Sequence, residues 1–390
     1  MTDQIYLDHA ATTPIRAEVR AAMEPWLWEN YANASSVYRM AQSARSALDR
    51  ARDSVAACLG ATPAEIVFTS GGTESDNAAI KGAAFARRDD GRHLVTTTIE
   101  HHAVLHPFEE LRERFGFEVT VVPVESNGIV NVDTLTASLR PDSTLVSVMW
   151  ANNEIGTIQP IEQIAALTRE RGITLHVDAV QAAGAVSIDL QNVPVDLLSI
   201  SAHKFYGPKG VGALYVRRGT PWWPLLTGGG QERNRRAGTE NVAGIVGLSC
   251  AQAIACQERD SGNARLAALR DRLLHAIERG ISGVTLNGDR VKRLPNNLNV
   301  CFEGVHGESL LVGLDLDGVS SSSGSACTSG SLEPSHVLLA IGVPARLAQS
   351  SLRLTLGRDN TERDVDRTVD LLHRLVSRLR AQSPAPKAVR

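Results

Sequence analysis

No apolar run in the 390-residue chain approaches the roughly 18 residues that a membrane span requires. The opening stretch "MTDQIYLDHA" lacks the basic and apolar regions of a signal peptide. A surplus of charge is missing as well. Lys and Arg number 40 against 43 Asp and Glu, a formal net charge of −3, so nothing in the balance favours nucleic acid or an anionic membrane. None of the five cysteines, Cys58, Cys250, Cys256, Cys301 and Cys327, forms a C-x-x-C pair, so no metal site is expected. Their odd number, in a long chain without a secretion signal, fits reduced thiols in a cytoplasm better than a disulfide framework. Internal repeats and long low-complexity tracts are also absent. With 43% hydrophobic residues, the chain is long enough for one large or two medium globular domains.

What the chain does have is alternation. Seven short β-rich runs, "EIVFTS", "HLVTTT", "VTVVPV", "LVSVMW", "ITLHVDA", "DLLSIS" and "VGALYV", follow one another, several separated by helical patterns. Residues 41–59 place Ala41, Ala44, Leu48, Ala51, Val55 and Leu59 on one helical face, with Gly60 where a C-cap belongs. Such alternation predicts a mostly parallel sheet with helices on both faces and a site at the C-terminal strand ends. Beyond about residue 260 the pattern changes. It predicts a charged helix over 262–279, a strand "NNLNVCF", a helix near "SHVLLAIG", a strand "SLRLTL" and a last helix over 361–380.

The stretch 318–333, "GVSSSSGSACTSGSLE", sets Cys327 among serines and glycines. It has almost no apolar surface to bury, and cysteine ordinarily prefers the interior. A flexible loop is expected there. Other residues with chemical potential sit at strand ends. Gly71-Gly72-Thr73 follows a strand and opens a helix, the arrangement of a phosphate cradle. Asp178 ends a strand, with Gln181 three residues on. Lys204 follows another, with Ser201 and His203 before it, and an amine in a partly desolvated pocket can form a Schiff base. His101 and His102 offer an imidazole that can stack on a planar ring, and Asn152 and Asn153 offer amides that can orient a polar group. Arg235, Arg236, Gly238 and Thr239 make a basic turn, and Arg353 sits inside a strand as either an edge charge or a carboxylate-binding fork. Singly, each has a plain structural reading as a cap, a solvated acid or a surface cation. Together, in this order, they are the requirements of pyridoxal 5'-phosphate: a lysine, an acid for the ring nitrogen and a phosphate site.

The motifs "YLDHAATTP", "FTSGGTESDN", "IEHHAVL", "NNEIGTIQP", "HVDAVQ", "SAHKFYGPKGVGALYVRRG", "GGGQERNRRAGTENVAGIVG" and "SSGSACTSGSLEPSHVL" span nearly the whole chain. With them the sequence resembles the cysteine desulfurases, pyridoxal-phosphate enzymes of fold type I in the class V aminotransferase group, and within them the nitrogen-fixation and iron–sulfur-assembly branch. The resemblance implies an α/β fold with a large cofactor-binding domain over 15–260, built on a mostly parallel seven-stranded sheet flanked by helices. Residues 1–14 and 261–390 would form a small α/β domain carrying the cysteine loop, 318–333. It implies that Lys204 holds the cofactor and moves the substrate Cα proton, and that Asp178 pairs with the ring nitrogen. Gln181 and Asn153 would lie near the ring oxygen, and His101 would stack on the ring and take part in catalysis. Gly72, Thr73, Ser201 and His203 would hold the phosphate, and Thr239 would reach the phosphate of a neighbouring subunit in a homodimer with shared sites. Arg353, with Asn153, would receive the carboxylate of L-cysteine. Cys327 would attack the substrate sulfur, leaving L-alanine and a persulfide for an acceptor protein, either an iron–sulfur scaffold or a thiolation carrier. The chain departs from the family pattern in "NASSVYRMA", where Tyr38 and Ala41 replace the usual His and Gly. Its tail after the last helix is short, so scaffold docking through a longer tail is not expected. Selenocysteine as substrate, and another class V aminotransferase or lyase reaction, stay open.

Overall fold

In a computed structural model, residues 4–323 and 333–382 are described. The seven β-rich runs form one sheet: β1 Ile66–Thr69, β2 His93–Thr97, β3 Glu118–Val122, β4 Ser143–Met149, β5 Thr174–Asp178, β6 Leu197–Ser201 and β7 Gly212–Val216. Their spatial order is β1-β7-β6-β5-β4-β2-β3. Only β7 runs against its neighbours, β1 and β6; every other pairing is parallel. All of β1, β2 and β4 to β7 is buried, as expected of a parallel sheet covered on both faces. The C-terminal ends of the six co-directional strands therefore share one edge.

The helix expected over 41–59 spans α1, Arg39–Leu59, and buries the predicted stripe, with Gly60 closing it at φ 64°. Ala41 is fully buried in that stripe, whereas Tyr38, at the N-cap, is exposed. The helix expected over 262–279 proves to start twenty residues earlier, at Val242, and to run unbroken to Gly280 (here α4). Its apolar face changes partner along its length. Ile245, Leu248 and Ala251 pack into the core of the large sheet, while Leu269, Leu273, Leu274 and Ile277 pack into a second core. Two short glycine-bearing stretches, around Gly244 and Gly262, dilute its periodicity. The second core also takes Ile5 and Leu7 from the start of the chain, and a three-stranded antiparallel sheet, Val284–Leu286, Asn297–Phe302 and Ser351–Thr355. The last helix, Glu362–Gln382, covers it. Among the described residues no helix is long and apolar enough to cross a membrane.

A buried ion pair braces the turn leading to Thr239. Arg52 of α1 donates to both carboxylate oxygens of Glu232, at 2.8 and 2.6 Å, and its guanidinium lies over the Phe68 ring. Glu232 also accepts from the Phe68 amide at 2.9 Å. Glu232, Arg233 and Asn234 all have positive φ (44°, 58° and 63°), a costly backbone for non-glycine residues that such anchors sustain. Glu232→Ala, which strands the Arg52 charge, is expected to cost about 3–5 kcal/mol in denaturant unfolding. Glu362→Ala, at the exposed pair with Arg272, should cost under about 1 kcal/mol. Equal losses would show that the Arg52 pair does not hold this turn.

Candidate active site

The strand ends converge on a cavity of about 300 Å³. β6 ends at Ser201, and one 3-10 turn, Ala202–Lys204, carries Lys204 onto the cavity floor. The Lys204 Nζ donates to the carbonyl oxygens of Ala10 and Ala11, at 2.7 and 2.8 Å. Those carbonyls belong to the N-terminal segment, whose Thr13 donates through both its amide and its hydroxyl to the His203 carbonyl. Gln181 Nε2 also donates to the Ala10 carbonyl, at 2.9 Å. Sequence reasoning had no access to Ala10 and Ala11, because their contribution is backbone and leaves no side-chain signal.

The end of β1 leads through Gly71 into helix α2, Gly72–Ala86. Gly71 has φ +149°, and a Cβ on Gly72 would sit 2.8 Å from Val180 Cγ2. Both positions therefore need glycine, and the backbone amides of the first helical turn open beside Thr73, Ser201 and His203. His203 lies in hydrogen-bond contact with the Thr12 hydroxyl at 3.1 Å.

Asp178, at the end of β5, accepts from the Val180 amide at 2.8 Å. Burial, then the nearby Asp76 carboxylate, push Asp178 up to about 7. Burial does the same to Asp76, raised to about 7, and to Glu100, raised to about 8. Glu100 accepts from Thr97 Oγ1 at 2.6 Å and the Met149 amide at 3.0 Å, while its Oε2 makes no hydrogen bond among the described residues. The imidazoles move the other way. Burial, followed by Lys204, lowers both His101 and His203 to about 4. His101 caps helix α3, His102–Phe115, where its Nδ1 accepts from the Ala103 amide at 3.1 Å. The neutral ring therefore carries its proton on Nε2.

Arg353 is not an exposed edge charge. It is 1% exposed, donating to Asp8 Oδ1 at 2.7 Å and to the Asn153 carbonyl at 3.0 Å. Asn153 lines the cavity, but Asn152 is occupied in the turn, donating to the Ile99 carbonyl and accepting from the Glu154 and Ile155 amides. Arg236 pairs with Glu74 and Arg235 donates to the Ala64 carbonyl, so both brace a loop. Thr239 is exposed and is not among the residues lining this chain's cavity. Cys327 falls in 324–332, outside the described residues. The described flanks of that stretch reach the site. Ser322 exchanges backbone hydrogen bonds with Arg353, and Ser335 Oγ donates to Glu154 Oε2 at 2.5 Å. Glu154 and His336 also line the cavity, and the sequence did not mark them. The His102 ring, read as one of two histidines with a single job between them, lies 4.9 Å from that of His336 and 4.8 Å from that of His106.

These residues fit pyridoxal phosphate. The glycine-bounded amides suit a phosphate, the lysine stands at the floor, and a desolvated Asp178 calls for a cationic partner such as a protonated ring nitrogen.

Comparison with known proteins places the chain in a family. The family described as aminotransferase class-V matches residues 5–368. The cysteine desulfurase IscS of Dictyoglomus turgidum is 53% identical over 384 residues, covering 98% of this chain and 97% of that protein. That of Methanosarcina thermophila is 53% identical over 387 residues, covering 99% and 95%. Among solved structures, a NifS-like protein matches with TM-score 0.90 at 38% identity, covering 96% of this chain and 99% of that one. A structure described as SspA in complex with cysteine matches with TM-score 0.80 at 37% identity, covering 90% and 98%.

The opposed shifts set the pH response of the cofactor-free protein. Histidines lowered from 6.5 to about 4 add stability as pH rises toward 6.5, and act no further above it. Carboxylates raised to about 7 and 8 hold more protons folded than unfolded, so they remove stability until pH passes those values. The thermal midpoint of the cofactor-free protein should therefore fall between pH 6.5 and 8.5. Glu100→Gln, which keeps the two accepted hydrogen bonds, should flatten that fall. A midpoint that rises over the interval would show these carboxylates to be ionised already at pH 6.5.

Proposed function

The chain belongs to the class-V aminotransferase family and acts as a cysteine desulfurase, and on that premise we propose how its own residues divide the work. The observation that carries the reading is the convergence of Lys204, Asp178 and the Gly71–Thr73 turn on one cavity with Arg353 at its side. Pyridoxal phosphate, when bound, supplies an electron sink for the bonds broken at the substrate. Lys204 would hold it, Asp178 would face its ring nitrogen, and His101 its ring. Gly72, Thr73, Ser201 and His203 would hold its phosphate, and Gln181 and Asn153 its ring oxygen.

L-Cysteine enters with its carboxylate toward Arg353, whose guanidinium is already oriented by Asp8 and the Asn153 carbonyl. The Lys204 amine, within reach of the substrate Cα, removes and returns its proton. His101 holds a proton at Nε2 on the opposite side of its ring from the Ala103 amide. The Cys327 thiolate attacks the substrate sulfur. The C–S bond breaks with its electron pair left on carbon, which takes a proton to give L-alanine, and the sulfur leaves as a persulfide on Cys327. Ser322 and Ser335 bring both flanks of the cysteine stretch to the cavity, which supports this role. Delivery to a sulfur-acceptor protein, for iron–sulfur assembly or thiolation, completes the cycle in the cytoplasm.

We assign the active unit to a homodimer. Leu27, Trp28, Tyr31 and Val37 are 63–89% exposed and close together in the chain, and a partner subunit would cover them. Thr239, exposed and away from its own cavity, would then serve the partner's phosphate site.

Cys327→Ser tests the division of labour. The variant should bind L-cysteine with the parent's affinity by spectral titration, yet release alanine and sulfide at background rate. Parent-like alanine production would remove Cys327 from the reaction.

A further inference from the structure

His336 lines the cavity, yet the division of work above leaves it without a task. It opens a short helix, α5, His336–Ala340, which is anchored on two sides. Val337 and Leu338 are buried among Ile99, Met149, Ile155 and Cys301. Ser335, the N-cap, accepts through its Oγ from the Val337 and Leu338 amides, at 3.1 and 3.3 Å, and donates from it to Glu154 Oε2 at 2.5 Å. The residue before Glu154 is Asn153, whose carbonyl accepts from Arg353 Nη1 at 3.0 Å. His336 and Arg353 are thus tied to adjacent residues of one turn, and both line the same cavity. The His102 ring, 4.9 Å away, backs the imidazole.

That imidazole has a defined polarity. His336 Nε2 lies 3.0 Å from the Glu100 carbonyl oxygen. A carbonyl only accepts, so this nitrogen carries the proton, and Nδ1 of the neutral ring keeps a lone pair. Nδ1 makes no hydrogen bond among the described residues, and unlike His102 Nδ1 it is not shut away from solvent. With Nε2 engaged, Nδ1 is the nitrogen left to the cavity. His101 is turned the other way: its Nδ1 is taken by the Ala103 amide, and its Nε2 holds the proton. The cavity therefore contains one imidazole that donates and one that accepts.

We propose that His336 Nδ1 accepts a hydrogen bond from the thiol of the bound substrate, and so selects cysteine over amino acids of the same size that lack a donor there. The proposal rests on the desulfurase reading and deepens it. L-Cysteine offers three polar groups. Its carboxylate, an acceptor, suits the guanidinium of Arg353. Its amine is committed to the cofactor. The thiol is the remaining donor, and a weak one, so an acceptor fixed in place beforehand suits it best. The anchored α5 supplies such an acceptor, and the Asn153–Glu154 turn sets its position relative to Arg353.

The test uses full-length holoenzyme carrying Cys327→Ser, which stops turnover, and spectral titration at one fixed pH. The two probes are L-cysteine and L-2-aminobutyrate, which has a methyl group in place of the thiol. His336→Phe keeps a ring of similar size and removes both nitrogens. It should weaken L-cysteine about threefold to tenfold, the worth of one hydrogen bond, and leave L-2-aminobutyrate within about twofold. Loss of the Glu100 contact alone would act on both probes alike. If the phenylalanine variant does not fold, His336→Ala gives the same comparison. Equal weakening of both probes, or an unchanged preference for L-cysteine, overturns the proposal. A Cys327→Ser protein that binds neither probe would instead count against the desulfurase reading, and the proposal would fall with it.

Discussion

The two hydrogen bonds from Lys204 to the carbonyls of Ala10 and Ala11 tie the two cores of this protein together at the cavity. Ile5 and Leu7 are packed in the second core, and the Thr355 amide donates to the Leu7 carbonyl at 2.7 Å. A few residues later the same segment crosses the end of the large sheet. Asp8 holds Arg353, Ala10 and Ala11 hold Lys204, and Thr13 holds the turn at His203. A short stretch of chain thus sets the separation between the Lys204 amine on one core and the Arg353 guanidinium on the other. The amine also has a wet-like environment of carbonyl oxygens that it can leave when a covalent partner arrives.

Electrostatics complete the site. Three buried carboxylates, Asp76, Glu100 and Asp178, are held toward their protonated forms, while His101 and His203 are held neutral. Both shifts have burial as their leading cause, which is the expense of placing ionisable groups at the bottom of a sheet edge. A phosphate and a protonated ring nitrogen would bring charge of both signs to these neutral groups. The pocket is in this sense built for a ligand that carries both signs.

Much of this was legible in the sequence because its causes are local. The seven strands are apolar runs, and parallel pairing buries both their faces, so composition alone marks them. Lys204 and Asp178 stand out because polar residues directly after such runs must lie at the strand ends. Gly71 and Gly72 are marked by a turn and a close approach that no other residue allows. What stayed hidden depends on tertiary contact. The Asp8 partner of Arg353 was hidden because it lies 345 residues away in the chain. His336 and Glu154 meet only when the second core docks on the sheet edge. The first half of α4 was missed because a helix that passes from one core to another shows no single apolar stripe. Thr239 is exposed and lies away from the cavity of its own chain.

The most direct test of the central claim is borohydride reduction of the full chain loaded with pyridoxal phosphate, followed by peptide mapping. The account predicts that the label sits on Lys204 alone, and that Lys204→Ala retains none. A label on the exposed Lys209, or on any other lysine, would contradict it.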